Sequence, residues 1–143
     1  MKNKRFDKII ITPLLILACL ALFNSCGGDD EPTEQDLAFE KLSGYWNLVS
    51  ITVDGQPVER NYENFSLSFT ETTYNTQNAG SLLSASGTWS WVNETTTNQI
   101  ILEDGKTISI QSLTETSFRF SFQESGGPVR SGIDGNYVIE MEK

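Results

Sequence analysis

After residue 43 the long apolar runs alternate, one apolar side chain followed by one polar, and this period of two constrains the fold more than any other feature of the chain. Phe65-Ser66-Leu67-Ser68-Phe69-Thr70 and Phe118-Arg119-Phe120-Ser121-Phe122-Gln123 show it most clearly. Thr88-Trp89-Ser90-Trp91, Thr107-Ile108-Ser109-Ile110-Gln111 and Tyr137-Val138-Ile139-Glu140-Met141 repeat it, with Trp46-Asn47-Leu48 opening the series and Gln99 to Glu103 in its middle. Side chains in a strand point alternately to opposite faces, so each run presents one apolar and one polar face. Turn chemistry separates the runs: Asp54-Gly55, Asp104-Gly105 and Asp134-Gly135-Asn136 each supply residues that tolerate the positive φ of tight turns. The Asp104-Gly105 pair, between Ile100–Leu102 and Ile108–Ile110, predicts the firmest hairpin. The expected architecture is an all-β antiparallel meander of about eight short strands, closed as a barrel or packed as a tight sandwich so that every run buries its apolar face.

One helix is expected ahead of this series. Thr33-Glu34-Gln35-Asp36 has capping-box spacing, with a Thr hydroxyl to accept from the third amide beyond it and a carboxylate to reach back. The helix should run to about Leu42, with Leu37 and Leu42 turned inward and Gly44 ending it.

The first residues read as a processing signal. Lys2, Lys4, Arg5 and Lys8 form a basic start, Ile9 to Phe23 an apolar stretch interrupted by Pro13, and Phe23-Asn24-Ser25-Cys26 places a small residue before a cysteine. The apolar run is shorter than the roughly 20 residues of a spanning helix. It resembles the relaxed lipoboxes of Bacteroidetes lipoproteins, and Gly27-Gly28-Asp29-Asp30-Glu31 resembles the acidic tract that directs many of them to the outer face of the outer membrane. The resemblance implies cleavage before Cys26, lipidation of Cys26 and anchoring by that lipid; Cys19 is the competing site, and would leave Leu20 to Phe23 as an exposed apolar stub. The expected organisation is a signal peptide over 1–25, a flexible acidic tether over 26–33 and one β domain over 34–143.

Removing the leader takes away Lys2, Lys4, Arg5, Lys8 and Asp7, and so moves the net charge from −9 to −12. Such a surface repels nucleic acid and anionic headgroups, and the remaining basic residues, Lys41, Arg60, Lys106, Arg119, Arg130 and Lys143, are scattered singly. Once Cys26 is acylated no free thiol is left beside it, so the domain must be held by its core. The chain has no histidine. Nucleophile–histidine pairs and histidine metal sites are therefore excluded, and no catalytic residue, cofactor or metal is expected. The carboxylates Glu63, Glu71, Glu94, Glu103, Asp104, Glu115, Glu124, Asp134 and Glu140 fall at loop or outward positions, where solvation is their expected state. Asp134-Gly135-Asn136 lacks the ligand spacing of a calcium loop.

Leu42-Ser43-Gly44-Tyr45-Trp46-Asn47-Leu48-Val49-Ser50, behind a short helix and before Asp54-Gly55, resembles the Gly-x-Trp opening of lipocalin-like proteins. Together with Phe65–Thr70, Gly87-Thr88-Trp89 and Leu113-Thr114-Glu115-Thr116-Ser117, it is similar to small lipocalin-like lipoproteins of Bacteroidetes over about Leu37 to Met141. That resemblance implies a lipocalin-like barrel with the helix capping one end.

The candidate functional residues are the aromatics Trp46, Phe65, Phe69, Trp89, Trp91, Phe118, Phe120 and Tyr137, which either line a cavity for an apolar ligand or fill the barrel as core. Trp89 and Trp91 share a face about 7 Å apart along their strand, so a ligand or the strand Phe118 to Phe122 should pack across them. Any opening is expected opposite the helix, near Asn75–Ser86 and Ser125–Ser131. Two functions follow: a carrier of a small apolar or amphipathic molecule, or an accessory lipoprotein that docks an envelope protein or glycan through its loops.

Overall fold

The computed structural model describes residues 31–58, 62–125 and 134–143; Cys26 and its leader, and most of Ser125–Ser131, lie outside them. The chain divides into Met1–Glu31 and Pro32–Lys143, and the second unit carries the fold.

Helix α1 (Glu34–Leu42) begins at the capping box: Thr33 accepts from the Asp36 amide while the Asp36 side chain accepts from the Thr33 backbone. These bonds hold the Asp36 carboxyl below its ordinary pKa, the Thr33 hydroxyl contributing most. The helix stops where Ser43 turns extended and Gly44 takes a positive φ of 110°. Leu42 is fully buried, but Leu37 is 46% exposed, contrary to the expected inward position; Phe39 turns in instead. At 100° per residue Leu37 stands roughly 160° away from Phe39, so the two cannot share a face.

Nine strands follow in the described residues: β1 (Gly44–Val53), β2 (Gln56–Pro57), β3 (Ser66–Phe69), β4 (Thr73–Gln77), β5 (Ser86–Trp91), β6 (Gln99–Leu102), β7 (Thr107–Leu113), β8 (Ser117–Glu124) and β9 (Gly135–Glu142). Each pairs antiparallel with the next, except that β2 only lengthens the end of β1 and β3 takes up the meander beside the start of β1. Pairing of β1 with β9, from Asn47↔Glu142 to Val53↔Tyr137, closes eight strands into a barrel. The fold is therefore an all-β, antiparallel, lipocalin-like barrel with one short helix at its start. Closure removes the long unpaired edges that an open sheet of this size would expose.

Strand β4 was not among the alternating runs, and it takes Asn75 to Gln77 out of the expected loop. Its one large apolar residue, Tyr74, faces in. Gly87 stands opposite Tyr74 in the ladder, and a β-carbon there would lie 3.0 Å from the Tyr74 ring. The glycine makes room for that ring. In β1 a register shift between Leu48 and Ser50 leaves Val49 55% exposed and moves the inward positions from Trp46 and Leu48 to Ile51 and Val53. A second shift in β7, between Ile110 and Ser112, does the same around Gln111. One inserted residue reverses the alternation, the signature of a β-bulge.

Helix α1 sits at the barrel end where β1 starts and β9 finishes. Trp46 donates its Nε1–H to the Leu42 carbonyl at 2.8 Å, and the Lys143 ammonium lies 4.7 Å from the Trp46 ring while donating to the Lys41 carbonyl at 2.9 Å. Two turns at this end share one design. Thr70 and Thr114 each accept, through their hydroxyls, from the backbone of the residue three ahead, Thr73 at 3.1 Å and Ser117 at 3.0 Å. Glu71 and Glu115 sit next in those turns.

Candidate functional site

The barrel interior is where sequence placed the candidate aromatics. Trp46, Phe65, Phe69, Trp89, Phe118, Phe120 and Tyr137 are all buried, and Trp91 is partly buried at the rim. All but Phe65 join, with Phe122, in a continuous series of ring contacts. Trp89 meets Phe69 edge-on at 5.6 Å, Phe69 meets Phe118 at 6.2 Å, and Phe118 stacks on Phe120 at 4.6 Å. Phe120 then meets Phe122 at 6.4 Å and Phe122 stacks on Tyr137 at 5.3 Å. Trp46 joins from the side through Phe118 at 5.4 Å. Edge-on and offset contacts at these spacings are the favourable aromatic geometries. The gap foreseen between Trp89 and Trp91 does not exist: the two rings are in direct contact, 5.4 Å between centroids and nearly perpendicular.

The end opposite the helix is covered by residues 78–85, which turn Ala79, Leu82 and Leu83 into the core. A buried ion pair fastens this segment. Lys106 Nζ lies 2.6 Å from Glu124 Oε2, both side chains are 7% exposed, and the same ammonium donates to the Leu82 carbonyl and lies 4.5 Å from the Phe122 ring. Glu124 therefore departs from the solvated position expected of it. It continues the inward parity of Phe118, Phe120 and Phe122 by one further step.

Close by, the phenol oxygen of Tyr74 is buried with no well-formed hydrogen bond among the described residues. Burial pushes its pKa above the ordinary phenol value; the Ser84 side chain, close by but outside good hydrogen-bond geometry, opposes the rise, and the Asp104 and Glu103 carboxylates add to it. A folded state that keeps this proton beyond about pH 10, where the unfolded chain has lost it, loses stability as pH rises through that value. Tyr74→Phe should leave stability at pH 7 unchanged or raise it by about 1 kcal/mol, because it removes an unpaired buried oxygen. It should also flatten the decline above pH 10. Urea melts at both pH values check this, and a loss of more than about 1 kcal/mol at pH 7 would mean that the hydroxyl is paired after all.

Outside the barrel, a cleft of about 480 Å3 runs between the start of α1 and β5. Phe39, Trp89 and Trp91 form its apolar wall, and Thr33, Gln35, Asp36, Glu71, Thr72 and Ser90 complete it. Phe39 lies over Trp89 at 6.1 Å, and the Trp89 indole is fixed by donating to the Thr70 carbonyl at 2.9 Å. Gln35 spends both amide hydrogens on the Asn93 and Thr96 carbonyls, each at 2.8 Å, which ties the helix to the loop after β5. Sequence reasoning had Trp89 and Trp91 but not Phe39, Asp36 or Glu71 as their neighbours, since the cleft forms only when α1, β5 and the Thr70–Thr73 turn meet. Other surface grooves occur among the described residues. One of about 390 Å3 between α1 and β7 includes the exposed Leu37, and one of about 590 Å3 includes the bulged Val49. The chain matches no protein-family model, and comparison with curated proteins and with solved structures gives no match.

Proposed function

We propose that this chain is a non-catalytic, lipid-anchored envelope lipoprotein of the lipocalin-like type, in which the barrel is a solid scaffold and the outer surface does the binding. The observation that carries this reading is the unbroken contact of aromatic rings from Trp89 to Tyr137 through the interior, closed at the far end by Leu82 and Leu83. Ligand pockets of carriers are concave spaces of several hundred Å3, and here the inward positions that would line one are occupied by side chains touching each other. The functional surface is then the cleft and loops outside. The lack of histidine supports a binding rather than a catalytic role.

The anchor is the Cys26 lipid, and the acidic tract after it supports placement on the outer face of the outer membrane. Among the described residues no helix is long and apolar enough to cross a membrane. Cys26→Ala should move the protein from the membrane to the soluble fraction. Retention in the membrane with the leader cleaved would overturn the lipid anchor. The solid-scaffold reading is tested by native mass spectrometry of the purified chain, which should show the polypeptide with its proposed Cys26 lipid and no further bound molecule.

A further inference from the structure

We infer that the cleft between α1 and β5 is a binding site for a small organic cation carrying an alkylated ammonium head. This rests on reading the outer surface as the binding surface. Three features converge on that chemistry. The partly exposed Trp91 ring stands at 83° to the buried Trp89 ring, and Phe39, stacked over Trp89, continues the aromatic wall, so that Trp91 and Phe39 offer the accessible ring surface and Trp89 backs them. Aromatic faces are negative at their centres, and attract an alkylammonium cation that a hydrocarbon of the same shape would not match.

The second feature is charge. Asp36 and Glu71 both line the cleft, and among the described residues no Lys or Arg does. The Asp36 carboxyl is held below its ordinary pKa by its bonds to Thr33, and therefore stays ionised. Glu71 has neither an ion pair nor a hydrogen bond from its side chain among the described residues. The nearby start of α1 opposes a cation, but its macrodipole amounts to only about half a positive charge against two full negative ones. The balance favours a cation. An anion would face both carboxylates with no basic partner, and this disfavours a zwitterionic lipid headgroup, whose phosphate would accompany the ammonium into the cleft.

The third feature is donor inventory. Gln35 has committed its amide hydrogens elsewhere, and the Trp89 N–H is also committed. The Thr72 and Ser90 hydroxyls can accept as readily as donate, so beside two carboxylates and ring surface the cleft suits a cation that brings no strong acceptor of its own.

The test is a titration of choline into the purified chain, followed by the indole N–H resonances of its three tryptophans. Choline should shift the Trp89 and Trp91 signals saturably and leave Trp46 still. The uncharged isostere 3,3-dimethyl-1-butanol should leave all three unmoved. Glu71→Gln, on an exposed turn where the fold does not depend on it, should weaken the choline response roughly fivefold or more, as should Trp91→Ala, with melting temperature as the check on folding. Equal binding of the isostere would reduce the cleft to an apolar groove and overturn the proposal. No shift with choline would overturn it too. Movement of Trp46 by either compound would place binding inside the barrel, contradicting the solid-scaffold reading as well, so the two readings fail in distinguishable ways.

Discussion

Phe120→Ala should cost about 3 to 5 kcal/mol of folding stability, the range for truncating a fully buried phenylalanine. Phe120 has no exposed surface and stacks between Phe118 and Phe122 in the centre of the aromatic series, so its removal breaks two ring contacts and leaves a hole that neither fixed neighbour can fill. Against roughly 5 to 15 kcal/mol in total for a domain, such a loss places the variant near its unfolding threshold at ordinary temperature. Urea denaturation of both proteins measures it. A loss under about 1 kcal/mol would mean that the site collapses freely or already holds space, and the solid-core reading would fail with it.

The second large effect is at the Lys106–Glu124 pair. Either Lys106→Met or Glu124→Leu alone should destabilise by about 3 to 5 kcal/mol, because each leaves one charge of a pair removed from water without its partner, as happens when an ion pair 7% exposed on both sides is broken. Replacing both, as Lys106→Met with Glu124→Leu, removes both charges and should recover most of that loss. Full recovery is not expected, since the Leu82 carbonyl would still lack the donor that Lys106 supplies. The comparison pair is Arg119–Glu140 on the outer face, with side chains 46% and 39% exposed. Solvent screens it, and Arg119→Ala should change stability by about 1 kcal/mol at most. A double-mutant cycle in which the two losses at 106 and 124 simply add would show that the pair is not coupled.

The strands were legible because alternation and Asp-Gly turns are local. β3, β8 and β9 follow from Phe65–Phe69, Phe118–Phe122 and Tyr137–Met141 with ends within about two residues of those observed, and Gly105 at φ 84° makes the hairpin expected of Asp104-Gly105. β4 was illegible for an equally local reason: Thr73-Tyr74-Asn75-Thr76-Gln77 offers one large apolar side chain, and its inward face is completed by the Tyr74 ring lying over Gly87 of the next strand. The bulges at Val49 and Gln111 leave no mark in the pattern that distinguishes them from strand ends.

Two misplacements had signals in the sequence. Counting 100° per residue puts Phe39 and Leu42 about 60° apart on one face of α1 and Leu37 away from it. Extending the parity of Phe118, Phe120 and Phe122 by two residues makes Glu124 face inward, although its partner Lys106 lies on the neighbouring strand's approach and cannot be found by counting. The cleft was beyond reach for the same reason, since Phe39, Glu71 and Trp91 belong to three separate elements.

Native mass spectrometry of the full chain, purified from the cells that make it, tests the central claim most directly, because it asks whether the barrel carries anything. The account predicts the mass of the processed polypeptide with the proposed Cys26 lipid, and no further adduct that survives exchange into volatile buffer. A stoichiometric small apolar molecule, released only when the barrel unfolds, would contradict it and make the interior a ligand site.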